Sequence, residues 1–186
     1  MKTYQEISKV AYEGPASTEP FAFKYYNPDE VLAGKPMREH LRFAMSWWHT
    51  LCADGVDMFG GSTMDKSFGK ADPMEKFKAK ADFGFALMDK LQMDFYCSHD
   101  VDIAPEGATW RESLDNFNQM VDYVAKLQAR HGKKLLWNTA NNFGDKKFMA
   151  GAATSCSADV YAIAAAKVKA GLDAAKKLGG QGYVFW

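Results

Sequence analysis

"FYCSHDVDIAPEG", residues 95–107, decides how the rest of this chain is read. It begins as an apolar run and turns, within a few residues, into a histidine and three acids: His99, Asp100, Asp102 and Glu106. An apolar run that ends in titratable groups predicts a buried strand with chemistry at its carboxyl end, where parallel α/β folds place their ligands. Three roles are open to these residues: a metal site, a helix cap, or acid/base machinery.

Working outward, the segments on both sides carry helical period. In "DPMEKFKAKADFGFALMDKLQ" (72–92), Asp72 is a cap, Pro73 fits the first helical position, and Phe77, Ala81, Phe85, Met88 and Leu91 form a stripe. In "TWRESLDNFNQMVDYVAKLQARHG" (109–132), Trp110, Leu114, Phe117, Val121 and Val124 form another, with Thr109 and Glu112 at capping-box spacing and Gly132 as a stop. A strand "KLLWNTAN" (134–141), a helix from Asp159 to Leu178 and a strand "GYVFW" (182–186) follow. Towards the N-terminus, "FAFKYY" (21–26) reads as the first strand, and Met37, Leu41, Ala44, Trp48 and Leu51 as one helix after it.

Strand and helix therefore alternate, which predicts an α/β fold with parallel strands and right-handed crossovers. It is either an open doubly wound sheet or part of a (β/α)8 barrel. No Gly-x-Gly-x-x-Gly follows any strand, which weakens the dinucleotide-binding form of the open sheet. A barrel takes about 250 residues, so 186 residues ending on a strand would cover only part of one.

Composition excludes several function classes. With 23 Lys and Arg against 23 Asp and Glu, no net field draws the chain to nucleic acid or an anionic membrane. There is no apolar signal segment at the N-terminus and no apolar run of the roughly 18 residues a membrane span needs. Cys52, Cys97 and Cys156, an odd number at long spacings, suit small buried residues in a reducing cytoplasm.

Among the candidate groups His99 leads, because imidazole titrates near neutral pH and can move protons between hydroxyls and carbonyls. Asp102, three residues on, could hold its ring in one tautomer; the alternative is a satisfied core histidine beside a solvated acid. Asp100 and Glu106 are weaker members. A metal site from "HDVD" is disfavoured, since successive residues at a strand end point to opposite sides. His40, His49 and His131 fall in or beside helices, and no nucleophile signature accompanies them. Trp137 and Trp186 close strands, where an indole can wall a sugar's C–H face; Trp47 and Trp48, inside a helix pattern, are core by default.

The stretches 19–66, "FYCSHDVDIAPEG", "LLWNTANNF", "MAGAATS" and "KLGGQGYVFW" resemble, in order and spacing, the N-terminal half of xylose isomerase, in the group with the longer N-terminal extension. The resemblance covers essentially the whole chain and implies one TIM-barrel isomerase domain over 1–186, with 1–20 as the extension, spanning about the first half of the barrel. It implies interconversion of D-xylose and D-xylulose, and of D-glucose and D-fructose, by a homotetramer using two divalent ions (Mg, Mn or Co). His99 and Asp102 fall on the family's catalytic pair, which opens the cyclic sugar before a metal-assisted hydride shift between C1 and C2. Trp137 and Trp186 fall on pocket walls, Thr139 and Val184 near the sugar's C5 and C6 end, and Phe143 on a further aromatic wall. Trp48 and Phe59 match other active-site aromatics, Phe59 reaching a neighbouring subunit. Ser98 stands where the family often has Phe and Asn138 where Gly is usual, so the resemblance leaves the pocket size open.

No metal ligand of the family maps onto 1–186, so the resemblance implies that these residues alone bind no metal specifically and do not isomerise. Two other readings stay open. One is a half-barrel sugar-binding or assembly fragment that needs a separate C-terminal half; the other is an unrelated barrel-type metal enzyme, such as an endonuclease or epimerase.

Overall fold

A computed structural model describes residues 4–186; residues 1–3 of the expected extension lie outside them. A small antiparallel hairpin comes first, β1 (Val31–Leu32) against β2 (Lys35–Pro36). Its two-residue turn puts both Ala33 and Gly34 at positive φ, 49° and 79°, the mirror-image geometry that matches strand twist. A one-turn helix, α1 (Met37–His40), follows directly.

Four strands form the main sheet in the order β3 (Ala44–Ser46), β4 (Phe95–His99), β5 (Lys134–Thr139) and β6 (Gly182–Tyr183), every pairing parallel. Sequential order with right-handed crossovers puts every connecting helix on one side of the sheet. The sheet is therefore singly wound, as in a barrel, and the doubly wound alternative is excluded.

The crossover helices form where their caps and stripes predict. In α2 (Pro73–Leu91) the Asp72 side chain accepts the Glu75 amide at 2.8 Å, and Ala81, Phe85 and Met88 are fully buried. In α4 (Trp110–His131) Thr109 accepts the Glu112 amide at 3.2 Å, while the Glu112 carboxylate accepts the Ala108 amide at 2.7 Å. After β5 comes α5 (Ala158–Lys177). A four-residue helix, α3 (Asp100–Ile103), starts immediately after His99.

Two strand expectations need correction. "FAFKYY" is not a strand of the sheet; it contributes one isolated bridge, Tyr12 to Phe23. The first sheet strand is instead β3, inside the segment expected to be a single helix from Met37 to Leu51. The three-to-four spacing there coincides with two elements of different period: Leu41, which a helix would bury, is 48% exposed, whereas Met45 and Trp47 are buried at strand spacing. A π-helical turn, Trp48–Cys52, then leads away from the sheet. "GYVFW" is strand only over Gly182–Tyr183, although the Val184 amide still donates to the Asn138 carbonyl at 3.0 Å.

The core lies between sheet and helices. Trp47 packs edge-on against Phe85 and at a tilt of 33° against Tyr96, with Met88, Met120, Val124 and Leu135 around them. Alternation along the strands sends the intervening residues to the opposite face. One irregularity matters: Tyr96 pairs with Leu135 but Cys97 pairs with Trp137, so Leu136 is an extra residue in β5. That bulge puts Leu135 towards the helices and Trp137 away from them.

Ser98 and Asn138 are register partners, both buried, and Asn138 Nδ2 donates to the Gly171 carbonyl on α5 at 2.9 Å. They face the helix layer, so the pocket size that the resemblance left open does not turn on them. A small residue beside a larger one fills that layer. Of the cysteines, Cys97 is buried as expected and Cys52 half-buried, but Cys156 is exposed, ahead of α5. Among the described residues, no helix is long and apolar enough to cross a membrane.

Candidate active site

The carboxyl ends of β3 to β6 converge on His99. Because α3 begins at once, Asp102 comes back over the strand end by one helical turn rather than alternating away from it. Its Oδ2 accepts the His99 backbone amide at 2.7 Å and approaches His99 Nδ1 at 2.9 Å. Both side chains are buried. A carboxylate can only accept, so the ring hydrogen sits on Nδ1 and Nε2 presents its lone pair. Nε2 is buried and has no protein partner, which is costly unless a ligand group or water satisfies it. The segment is thus a helix cap that also holds the His99 imidazole in one orientation.

Aromatic rings enclose that imidazole. Trp48 stands edge-on to it at 4.9 Å between centroids, Phe143 at 5.6 Å and Trp186 at 6.3 Å. Trp137 lies against Trp48 at 5.4 Å, and Phe143 against Trp186 at 6.3 Å. The adjacent tryptophans, both expected in the core, part at the turn that follows β3: Trp47, in helical conformation at its start, enters the core, and Trp48, the first residue of the π-helical turn, faces His99.

Thr139 is the register partner of His99 and donates its hydroxyl to the Val184 carbonyl at 2.6 Å, tying the last turn of the chain to β5. Thr139, Phe143, Val184 and Trp186 line a hollow of about 590 Å³, within the usual size of small-molecule sites. His99 is not among its walls. Phe143 and Trp186 stand in both groups, and at 51% and 72% exposure they present open ring faces to the hollow. Phe59 belongs to neither: it is 91% exposed in a turn held by Asp57, with nothing among the described residues tying it to His99.

Several nearby groups escaped sequence reasoning. Lys167 of α5 is buried, 3.1 Å from Asp100 and 3.7 Å from Glu106. Lys80 of α2 is also buried, donating to Cys52 Sγ at 3.4 Å and resting 3.6 Å from the Phe77 ring centroid. Burial pulls the Lys80 ammonium below its ordinary range, against the opposing influence of Cys52. Burial likewise pushes the Cys52 and Cys97 thiols up to about 11. The available signal was position: Lys167 shares the buried side of α5 with Ala164, Gly171 and Ala174, where a lysine needs a partner.

No group of three or more His, Cys, Asp and Glu among the described residues could hold a metal ion. The donor set explains this locally, since His99 Nδ1 and Asp102 are committed to each other and Asp100 to Lys167.

No protein-family profile matches the chain. Curated relatives do. Xylose isomerase of Geobacillus thermodenitrificans is 51% identical over 186 residues, which is all of this chain and 42% of the relative. The chain resembles xylose isomerases over its whole length. The Bacillus velezensis xylose isomerase is 50% identical over 183 residues, 98% of this chain and 41% of its own, and that of Thermoanaerobacter pseudethanolicus 48% over 187 residues, 43% of its own. The chain spans about 42% of the length of these isomerases and matches their N-terminal portion. Its singly wound sheet is accordingly the opening run of a (β/α)8 barrel, and the unrelated barrel enzyme loses its support.

Proposed function

We propose that this chain supplies the ring-opening machinery of an aldose–ketose isomerase acting on D-xylose, and on D-glucose by the same route. The observation that carries the reading is the buried His99, held on Nδ1 by Asp102 with Nε2 free inside a cage of aromatic rings. In this scheme Nε2 takes the proton of the anomeric hydroxyl, and Asp102 stabilises the imidazolium that forms. The C1–O1 double bond forms as the C1–O5 bond breaks, and its electrons go to O5. The imidazolium returns the proton to O5, leaving an open-chain aldose. Trp137 and Trp186 wall the C–H faces, Phe143 closes one side, and Thr139 and Val184 meet the C5 and C6 end.

In the same reading residues 1–186 are one part of an isomerase domain, with an N-terminal extension to residue 20. The whole protein uses two divalent ions (Mg, Mn or Co), which the donors described above do not fit to hold. When bound, such ions polarise sugar oxygens for the hydride shift. Phe59 reaches a neighbouring subunit of a tetramer, and its exposure is consistent with that role. Three free cysteines fit a reducing cytoplasm. Residues 1–186 taken alone are expected to turn over no xylose; measured turnover by the purified 186-residue chain would overturn that expectation.

The test of the mechanism is His99→Gln in the full gene product. Loss of a general acid/base lowers turnover of cyclic xylose by about 10²–10⁴-fold. D-glyceraldehyde, a triose too short to form the pyranose ring, should be spared most of that loss. Equal losses on both substrates would place His99 outside ring opening, and xylose turnover within threefold of the parent would remove it from the reaction.

A further inference from the structure

Phe143 is half exposed, so packing alone does not hold its ring against His99. Its backbone is held instead. The Phe143 and Gly144 amides donate to Asn141 Oδ1 at 3.2 and 2.7 Å. A Cβ added at Gly144 would come within 2.9 Å of the Asn141 amide group, so that turn is closed tightly around the side chain. The Asn141 backbone N–H in turn donates to Asp100 Oδ1 at 2.8 Å, an oxygen that also takes the Val101 backbone N–H at 3.0 Å. The other oxygen of Asp100 is 3.1 Å from Lys167 Nζ, with both side chains largely shut off from water.

These contacts make one continuous relay from α5 to the wall of the site. Lys167 stands on the buried side of α5 among Ala164, Gly171 and Ala174. An apolar residue would fill that place without the cost of burying an ammonium. What the lysine adds is a fixed direction for Asp100, which adjoins His99 in the chain and opens the helix carrying Asp102. One buried cation thereby ties the aromatic that faces His99 to α5, while the His99–Asp102 bonds are made without it.

We infer that Lys167 is a positioning residue, acting through Asp100 and Asn141 to hold the Phe143 ring against His99 and so to set sugar binding. The inference rests on the functional reading above only for what the ring contacts; the relay itself is independent of it.

The experiment is a double-mutant cycle of Lys167→Met and Asn141→Ala in the full gene product, with Lys167→Arg as the rescue. Phe143 carries a ring label read by NMR without sugar, where the neighbouring His99 and Trp186 rings shift its signal. Both single variants should move that signal towards an averaged ring, the double variant should move it no further, and Lys167→Arg should restore it. With xylose, each single variant should raise KM by about tenfold while kcat changes less than threefold, because the His99–Asp102 pair is untouched.

A purely structural lysine would lower stability and leave the Phe143 signal and the KM-to-kcat split alone, which overturns the proposal; so would additive effects in the cycle. If Lys167→Met does not fold, Lys167→Gln takes its place in the cycle, and an unmoved Phe143 signal in either single variant overturns the proposal. A relay seen by NMR in a protein that binds no sugar would refute the functional reading and leave the positioning role standing.

Discussion

Asp102→Ala and Asp102→Asn should separate sharply in stability, because a single oxygen does the holding. Oδ2 accepts both the His99 amide and His99 Nδ1–H, at 2.7 and 2.9 Å, and both side chains are buried. Alanine leaves two buried donors without a partner, at about 1–3 kcal/mol each, or roughly 2–6 kcal/mol together. Asparagine can place its own carbonyl oxygen where Oδ2 stands, keeping both bonds but exchanging charge-assisted for neutral ones. That exchange costs about 1–2 kcal/mol in all. Asp102→Ala should therefore be less stable than Asp102→Asn, by about 2–3 kcal/mol at the midpoints of these costs. Equilibrium urea denaturation measures the difference. Amide hydrogen exchange at His99 localises it, since protection there should fall in Asp102→Ala and largely persist in Asp102→Asn. Equal destabilisation by the two variants, with equal loss of His99 protection, would refute the reasoning: the charge of Asp102, and not its shared oxygen, would then be what the strand end needs.

Three further outcomes follow from groups elsewhere in the fold. Thiol titration of the native protein at pH 7.5 should label Cys156 promptly and Cys52 and Cys97 slowly, since burial pushes those two thiols up to about 11; three equally fast thiols would contradict it. Asp89 joins α2 to the end of α4 through His131 at 2.6 Å and Lys133 at 3.1 Å. Desolvation opposes its ionisation, but hydrogen bonds from His131 and Lys133 prevail and hold the carboxyl below its usual range. Its stabilising contribution is then complete above the ordinary aspartate value near pH 4 and lost as pH falls through the lower folded value. Asp89→Asn should flatten that acid limb of a denaturation-versus-pH curve, and an unchanged limb would count against the assignment. Finally, a Cβ at Gly171 would sit 2.9 Å from the Tyr183 ring, whose hydroxyl accepts the Ala140 amide. Gly171→Ala should cost about 1–3 kcal/mol by overpacking, and Tyr183→Phe about as much by orphaning the amide; thermal melts of both variants read this, and neutral substitutions would contradict it.

Much of the fold was legible because local signals agreed with tertiary structure. Caps at Asp72 and Thr109, and apolar stripes through Phe85 and Val124, place α2 and α4 as read. The His99–Asp102 pair was visible as a three-residue spacing, although the reason it works, a helical turn starting at Asp100, was not. The first strand failed for a physical reason. Three residues are too few to establish a period of two, and the flanking apolar positions of α1 and of the turn at Trp48 supplied a false helical period. Lys167 was illegible because its partners lie far away in sequence, and a lysine in an alanine-rich helix reads as solvated until that helix is docked.

The feature hardest to foresee is also the one on which the site depends. Leu136 is the extra residue of β5, and it carries no mark in the sequence: no glycine, no proline, only the second of two leucines. In an unbroken strand Leu135 and Trp137 would share a face. With Leu135 in the core, Trp137 would then enter the helix layer, and Asn138 would take its place beside the site. The bulge reverses this, so that Trp137 meets Trp48, Asn138 bonds Gly171 on α5, and Thr139 comes level with His99. A strand slip of one residue exchanges every side chain between faces, and here the exchange would trade an aromatic wall for a buried amide. The order of residues in "LLWNT" fixes which side chains are available, and the parity set at Leu136 fixes which of them stand beside His99.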